Sequence, residues 1–224
     1  MANRYFAKSI FDYLRDLKSN NDRTWFEANK GRYEDALKAP ALRFIADFGP
    51  ELAKISPHFR ATPRSLYRIH RDIRFSRDKS PFKTHAGLHF RHDRAKDAHA
   101  PGYYLHIEPG QVFLGVGLWR PESKPLRQIR EHIVEEPAAW KRAAGGKKFG
   151  DAFELAGDRL SRAPKGFDPE HRLVEDLKWK SYIGIHELTE ASVTHDDLPT
   201  ELARTFRAGT PFMAFLCEAL GVPF

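Results

Sequence analysis

The sequence predicts an α+β fold. One domain is expected, with a largely antiparallel sheet of about five strands packed by helices from both ends of the chain. Three observations predict it. Apolar residues recur at helical spacing through the first quarter of the 224 residues, then at a spacing of two, then at helical spacing again. Two strand-like runs flank Pro109-Gly110, the clearest hairpin signal in the chain. No internal repeat or low-complexity tract interrupts this order, and the length suffices for one proper core. The expected boundaries are helices over 9–56, a sheet core over 64–120, and a helical part with one further strand over 121–224.

The elements follow in order. Residues 9–19 place Ile10, Phe11, Leu14 and Leu17 on one stripe, with Ser9 as a cap. Asn20-Asn21-Asp22 reads as a turn whose Asn21 or Asp22 caps a second helix. That helix carries Trp25, Phe26, Tyr33 and Leu37 and is expected to stop before Pro40. A third presents Ala41, Ile45, Phe48, Leu52 and Ile55. Residues 67–75 alternate like a strand, and 86–91 read as another, with Leu88 and Phe90 opposite His89. In the hairpin, 103–108 and 111–119 pair so that Ile107 opposes Val112, Leu105 opposes Leu114 and Tyr103 opposes Val116. The other face then holds Tyr104, His106, Phe113, Gly115, Gly117 and Trp119. The two glycines fit either a packing site or the floor of a pocket. Helices are expected over 121–134, 137–144 and 169–177, a strand over 179–185, and closing helices over 199–208 and 211–220, with Thr210 as a cap on the last. The segment 147–163 reads as mixed, and 164–169 as a loop.

Charge concentrates in one place. Between His58 and His99 lie eleven cations and four anions, an excess equal to the +7 of the whole chain. Its centre, residues 67–83, has Tyr67, Ile69, Ile73 and Phe75 on one side of the expected strand with Arg71 among them. Arg68, His70, Asp72 and Arg74 lie on the other. An arginine on an apolar face must be paired or must reach an opening. Its planar fork suits phosphate or carboxylate. Lys79 and Lys83 follow beside Ser80 and Thr84, a plausible phosphate cradle without the glycines of a P-loop.

Other chemistry is poorly supported. His85, His89 and His92 are close in sequence, but no cysteine pair and no His-Glu-x-x-His occurs, so no metal and no cofactor is expected. There is no nucleophile elbow. The single cysteine, Cys217, sits among Phe212, Phe215 and Leu216 and reads as core filler. No apolar run is long enough to span a membrane, and the first eight residues lack the apolar core of a signal peptide. A cytoplasmic location is the expectation.

Arg68, Arg71, Asp72, Arg74, Phe75, Asp78, Lys79 and Phe82 form a pattern, Arg-x-x-Arg-Asp-x-Arg-Phe followed by Asp-Lys and an aromatic. It resembles the hallmark of a widespread, mostly bacterial family catalogued as a conserved domain of unknown function. The departure is Phe82, where that family more often has Tyr. The likeness extends to Asn20-Asn21-Asp22-Arg23-Thr24-Trp25-Phe26, to the two hairpin strands, and to Pro164-Lys165-Gly166-Phe167 with Leu177-Lys178. The resemblance implies that these signatures belong to one domain. It implies no reaction and no ligand.

The leading functional expectation is an anion-binding domain for a ligand bearing phosphate or carboxylate. Arg68, Arg71, Arg74, Lys79 and Lys83 would grip it, and Tyr104, His106 and Trp119 would form an adjoining wall. Three alternatives stay open. One is an enzyme with His106 or His70 as general acid/base and Asp72 as a weaker candidate. Another is a nucleic-acid accessory protein. The last is a purely structural Arg71/Asp72/Arg74 network.

Overall fold

The computed structural model describes residues 4–94 and 101–224. Two charges of the basic block, Lys96 and Asp97, lie outside the described residues, as do the first three residues of the chain. Helix α1 (Lys8–Ser19) buries Ile10, Phe11, Tyr13, Leu14 and Leu17. The expected cap Ser9 lies inside it, one residue past Lys8. Asp22 caps α2 (Arg23–Ala28) by accepting from the amide of Trp25 at 2.9 Å. The chain stays helical beyond it through α3 (Lys30–Tyr33), a wide π turn (Glu34–Lys38) and α4 (Ala39–Ala53). The expected break before Pro40 does not occur. Pro40 falls in the first turn of α4, where its missing N–H is no loss, and the π turn before it makes room for the ring.

One six-stranded antiparallel sheet follows. Its strands are β1 (Phe59–Arg60), β2 (Ala86–His92), β3 (Gly102–Glu108), β4 (Gln111–Leu118), β5 (Glu154–Ala156) and β6 (Tyr182–Leu188). Their order is β1-β2-β3-β4-β6-β5. The central hairpin has the expected register, with Tyr103 opposite Val116, Leu105 opposite Leu114 and Ile107 opposite Val112. All six are buried. The apolar pairs and the two-residue turn demand the same pairing, so neither can slip. Strand β5 arises in the stretch read as mixed, and β6 begins three residues later than the pattern predicts.

The buried sheet face packs on helices. Phe48 of α4 meets Phe90 at 4.8 Å. Helices α5 (Ser123–Glu135), α6 (Pro137–Gly145) and α7 (Lys147–Gly150) follow the hairpin. Trp140 of α6 stands edge-on to Tyr182, and Phe149 of α7 lies against the backbone of Gly184. The expected helix over 169–177 is reduced to α8 (Val174–Leu177). Helices α9 (Leu198–Ala208) and α10 (Thr210–Ala219) close the core, with Phe206 at 4.9 Å from Tyr103. Thr210 falls within α10, and Gly209 takes the cap position. Cys217 is fully buried, and burial pushes its thiol up to about 12, as befits a core filler.

The strand expected over residues 67–75 is not formed. This segment and the residues up to 85 make a loop; a single bridge, Leu66 to Leu88, ties its start to β2, and another, His70 to Phe82, closes the loop on itself. The cause is local. As a strand it would press Arg71 against an apolar face, at a desolvation cost that no partner there relieves. Instead the Asp72 carboxylate accepts from the amide and guanidinium of Arg74, a side-chain turn that competes with strand pairing. Phe75, read as an inward residue, is thrown to the loop tip and is 94 % exposed.

Candidate functional site

The loop is clamped at its base. Asn21 reaches from the turn after α1 and bonds both backbone groups of Phe82, each at 3.0 Å. Phe82 is buried and stacks on Phe26 with ring centroids 4.1 Å apart. The Asn20–Phe26 signature and the aromatic that ends the arginine motif therefore touch. Phe82 is held by packing and by its backbone, and a hydroxyl plays no part in either contact.

At the tip Arg71, Arg74 and Lys79 are closed by their own chain, and Arg77 has no hydrogen bond or ion pair among the described residues. The Arg71 guanidinium pairs with Asp78 and donates to the Ser80 carbonyl at 3.1 Å. Arg74 holds Asp72 at 2.6 Å, with both side chains exposed. Lys79 donates to the carbonyl of Ile73. The hydroxyl and amide of Ser80, with Arg71 behind them, hold the Asp78 carboxyl down to about 2. Arg74 does the same for Asp72, which is therefore a poor proton acceptor near neutrality.

The base of the loop is different. Tyr67 docks on β2 through its amide and the Gly87 carbonyl at 2.9 Å. Two cations lie on its ring, Lys83 at 5.3 Å and Arg91 at 5.8 Å from the centroid. Lys83 is half-buried and donates to the Arg68 carbonyl at 2.7 Å. Burial, and then Arg68, push its ammonium pKa down. Among the described residues no carboxylate pairs with Arg68, Lys83 or Arg91 within ion-pair distance.

Behind this rim the outward face of β2, β3 and β4 carries tyrosines and histidines. The antiparallel register sets His89 opposite Tyr104, and Gly87 opposite His106. His89 Nδ1 accepts from Arg91 at 3.3 Å and meets the Tyr67 hydroxyl at 2.8 Å. Because arginine only donates, the ring proton of His89 is on Nε2. Tyr104 Oη contacts His106 Nδ1 at 3.1 Å, and His106 Nε2 faces Glu108 Oε2 at 3.3 Å. The second Glu108 oxygen accepts from Thr84 at 3.3 Å and lies 3.6 Å from Lys18. The His85 ring is 4.5 Å from that of His106. Burial lowers His85 and His89 to about 4 each, with His106 adding to the first and Arg91 to the second. Burial also lowers His106, against the pull of Glu108. All three imidazoles are neutral at pH 7.

The glycine that makes this face possible is Gly87. A Cβ there would sit 2.6 Å from the Tyr104 hydroxyl and 3.1 Å from the Tyr67 ring. Of the glycines singled out in β4, Gly117 has a φ of 119° and lies against the Tyr182 carbonyl, so it serves backbone packing. Gly115 has only ordinary contacts with Tyr104 and Ile185.

Of the residues expected to form the site, Arg68, Lys83, Tyr104 and His106 gather at this face. Arg71, Arg74 and Lys79 stand at the loop tip. Trp119 is 55 % exposed beyond the end of β4, under the Arg120 guanidinium. His70 lies against Phe26 and Phe82, away from the histidine row. Sequence reasoning passed over Tyr67, His85, Arg91 and Glu108 as site residues. The signal available was the period of two in β2, which puts Gly87, His89 and Arg91 on the face shared with Tyr104 and His106.

Two groups of metal-ligating type occur among the described residues, His85 with His106 and Glu108, and His58 with His92 and Asp93. A shallow cleft of about 360 Å³ lies elsewhere, between α4 and α9, and is lined by Asp47, Glu51, Asp196 and Asp197. Its acidity separates it from the basic face, and Arg4 and Tyr5 already bind Asp47.

No curated protein and no solved structure matches the chain. A family model described as "Conserved hypothetical protein (DUF2461)" matches residues 9–215. That span includes the clamp, the arginine loop, the sheet and all but the last turn of α10, and the chain belongs to this family of conserved hypothetical proteins.

Proposed function

We propose that the protein binds an anion, phosphate- or carboxylate-bearing, over the rim formed by Arg68, Lys83 and Arg91. The observation that carries this reading is a cluster of cations without a counter-ion. Lys83 is half-buried, its neighbour Arg68 raises the cost of its charge, and among the described residues no carboxylate lies within ion-pair distance of either, Asp72 acting on Arg68 only from farther away. Holding like charges together costs free energy, and a bound anion would return it. Tyr67 offers a ring edge and Tyr104 a hydroxyl to orient such a ligand.

The reading shifts the grip within the motif. Arg71 and Arg74 are engaged by Asp78 and Asp72, which favours a bracing role for this part of the network. The anion would then be met by the cations that the brace leaves open.

Isothermal titration with inorganic phosphate, citrate, a nucleotide and a short oligonucleotide tests the proposal. The expected result is saturable binding of at least one of them that falls tenfold or more in both Arg68→Ala and Lys83→Met. Binding unchanged in both variants, or no binding at millimolar ligand, would overturn it. If the oligonucleotide is the best ligand, log K falls linearly with log salt, with a slope that counts the phosphates engaged.

A further inference from the structure

We propose that His85, His106 and Glu108 form a binding site for one divalent transition-metal ion of the zinc or iron(II) class. Two imidazoles and one carboxylate are the donor set that such ions take when they keep positions open for water or substrate. This proposal does not depend on the anion reading, whose cations are none of the three donors, although Tyr104 borders both sites.

The geometry is close to what an ion requires. One ligand atom from each of the three residues lies within 4.8 Å of the others. His106 Nε2 and Glu108 Oε2 are 3.3 Å apart. Two donors about 2.1 Å from one tetrahedral ion stand about 3.4 Å apart. These two are therefore already spaced for a shared ion. Only His85 must swing inward, and no hydrogen bond holds its ring among the described residues, so nothing is broken when it turns.

The surroundings orient the donors as an outer shell does. With no ion bound, His106 Nε2 donates its proton to the acceptor-only Glu108 carboxylate; when an ion displaces that proton, the Tyr104 hydroxyl, 3.1 Å from Nδ1, can accept an N–H there and leave Nε2 as the lone-pair nitrogen. Thr84 and Lys18 occupy one oxygen of Glu108 and turn the other toward His106. Lys83 opposes a cation here, since it acts on His85, but it takes none of the three lone pairs.

The second histidine group in the fold shows the contrast. His92 Nε2 bonds the Pro223 carbonyl at 2.7 Å and its Nδ1 receives the Arg94 amide at 3.1 Å. Asp93 is held by Arg60 at 2.9 Å. Those donors are held by groups outside their cluster, whereas His106 Nε2 and Glu108 Oε2 are held chiefly by each other, and His85 has no hydrogen bond among the described residues.

The test is titration of the chelator-treated full chain with zinc and with cobalt(II), by calorimetry and, for cobalt, by visible absorption. One equivalent should bind with a dissociation constant in the micromolar range or tighter. His85→Ala and Glu108→Gln should each weaken it at least tenfold while leaving the circular dichroism spectrum unchanged, and His92→Ala should leave it as it was. Affinity unchanged in His85→Ala, loss confined to His92→Ala, or no one-to-one uptake at millimolar metal would overturn the proposal. Arg68→Ala serves to separate the two readings. It should weaken phosphate binding tenfold or more and leave metal uptake intact, so either can fail alone.

Discussion

At the tip of the basic loop, Arg71 and Arg74 are each closed by a carboxylate within seven residues of chain, whereas at its base Lys83 and Arg91 face a tyrosine and two histidines, with Arg68 beside Lys83. Both halves look alike when charges are only counted. What separates them is where the aspartates fall. Asp72 and Asp78 are near enough to turn back on the arginines beside them, and the loop that results throws their cations outward in pairs. The base receives its cations from three separate points of the chain, Arg68, Lys83 and Arg91. The loop base and β2 bring Lys83 and Arg91 onto one tyrosine ring with Arg68 beside Lys83, and among the described residues no carboxylate pairs with the three within ion-pair distance. A local ion pair exposed to water contributes little and binds nothing else. An assembled cation cluster is strained electrostatically until something fills it.

The strongest way to break this contrast is to destroy the base while sparing the tip. Gly87→Val puts a branched side chain where the Tyr104 hydroxyl and Tyr67 ring already stand. Overpacking of this kind should cost about 1–3 kcal/mol in urea unfolding and push the Tyr104 hydroxyl away from His106. An unchanged midpoint would mean that the close approach constrains nothing. Next comes Arg68→Ala. Its side chain has no hydrogen bond or ion pair among the described residues, so stability should stay within about 0.5 kcal/mol. Phosphate or citrate affinity should still fall tenfold or more. A mutation silent in stability and loud in binding is what distinguishes the base from the tip.

The hairpin was legible in the sequence because two independent signals, the Pro109-Gly110 turn and the paired apolar residues, require one register. The loop was not legible, because the alternation of Tyr67, Ile69, Ile73 and Phe75 imitates a strand. Only the reach of Asp72 to Arg74 and of Asp78 to Arg71 reveals the turn, and a periodicity reading carries no information on side-chain reach. The rim was half legible. Arg68, Lys83, Tyr104 and His106 are conspicuous as residue types, but Arg91 and Tyr67 join them through cross-strand register. Glu108 joins them at a strand end, where a carboxylate reads as ordinary solvated charge.

The brace itself can be removed. Arg71→Met deletes the guanidinium that joins Asp78 to the Ser80 carbonyl. The backbone amides of residues 72–79 should then exchange with solvent roughly tenfold faster, as local opening becomes easier, while those of β3 and β4 keep their protection. Measured by hydrogen exchange with mass spectrometry, equal rates in wild type and variant would show that Arg71 does not hold the loop. The base should bind phosphate as before. Loss of binding in Arg71→Met with unaltered exchange would return Arg71 to the ligand and remove the contrast.

The smallest effect, and the one that reads both halves in a single titration, is the order in which they respond to acid. His89 is lowered from 6.5 to about 4, first by burial and then by Arg91, with Tyr67 on the same nitrogen. A lowered histidine pKa means that the unfolded chain binds the proton first, so this contribution to stability is complete above about 6.5 and declines as the pH falls toward 4. Asp78 and Asp72 are lowered from 3.8 to about 2, by Ser80 and by Arg74 respectively. Their contribution is present above 3.8 and is lost only as the pH falls through about 2. Acid should therefore loosen the base of the loop before its tip. Carboxyl and imidazole NMR titrations in one sample would show it, with the His89 midpoint near 4 and the two aspartate midpoints near 2. If His89 titrates at an ordinary histidine value, its ring is open to water and the outward face is not the desolvated surface on which a bound anion would gain the most. If the aspartates titrate near 3.8, the tip arginines are not closed by their own chain, and they rejoin Arg68 and Lys83 as groups available to a ligand.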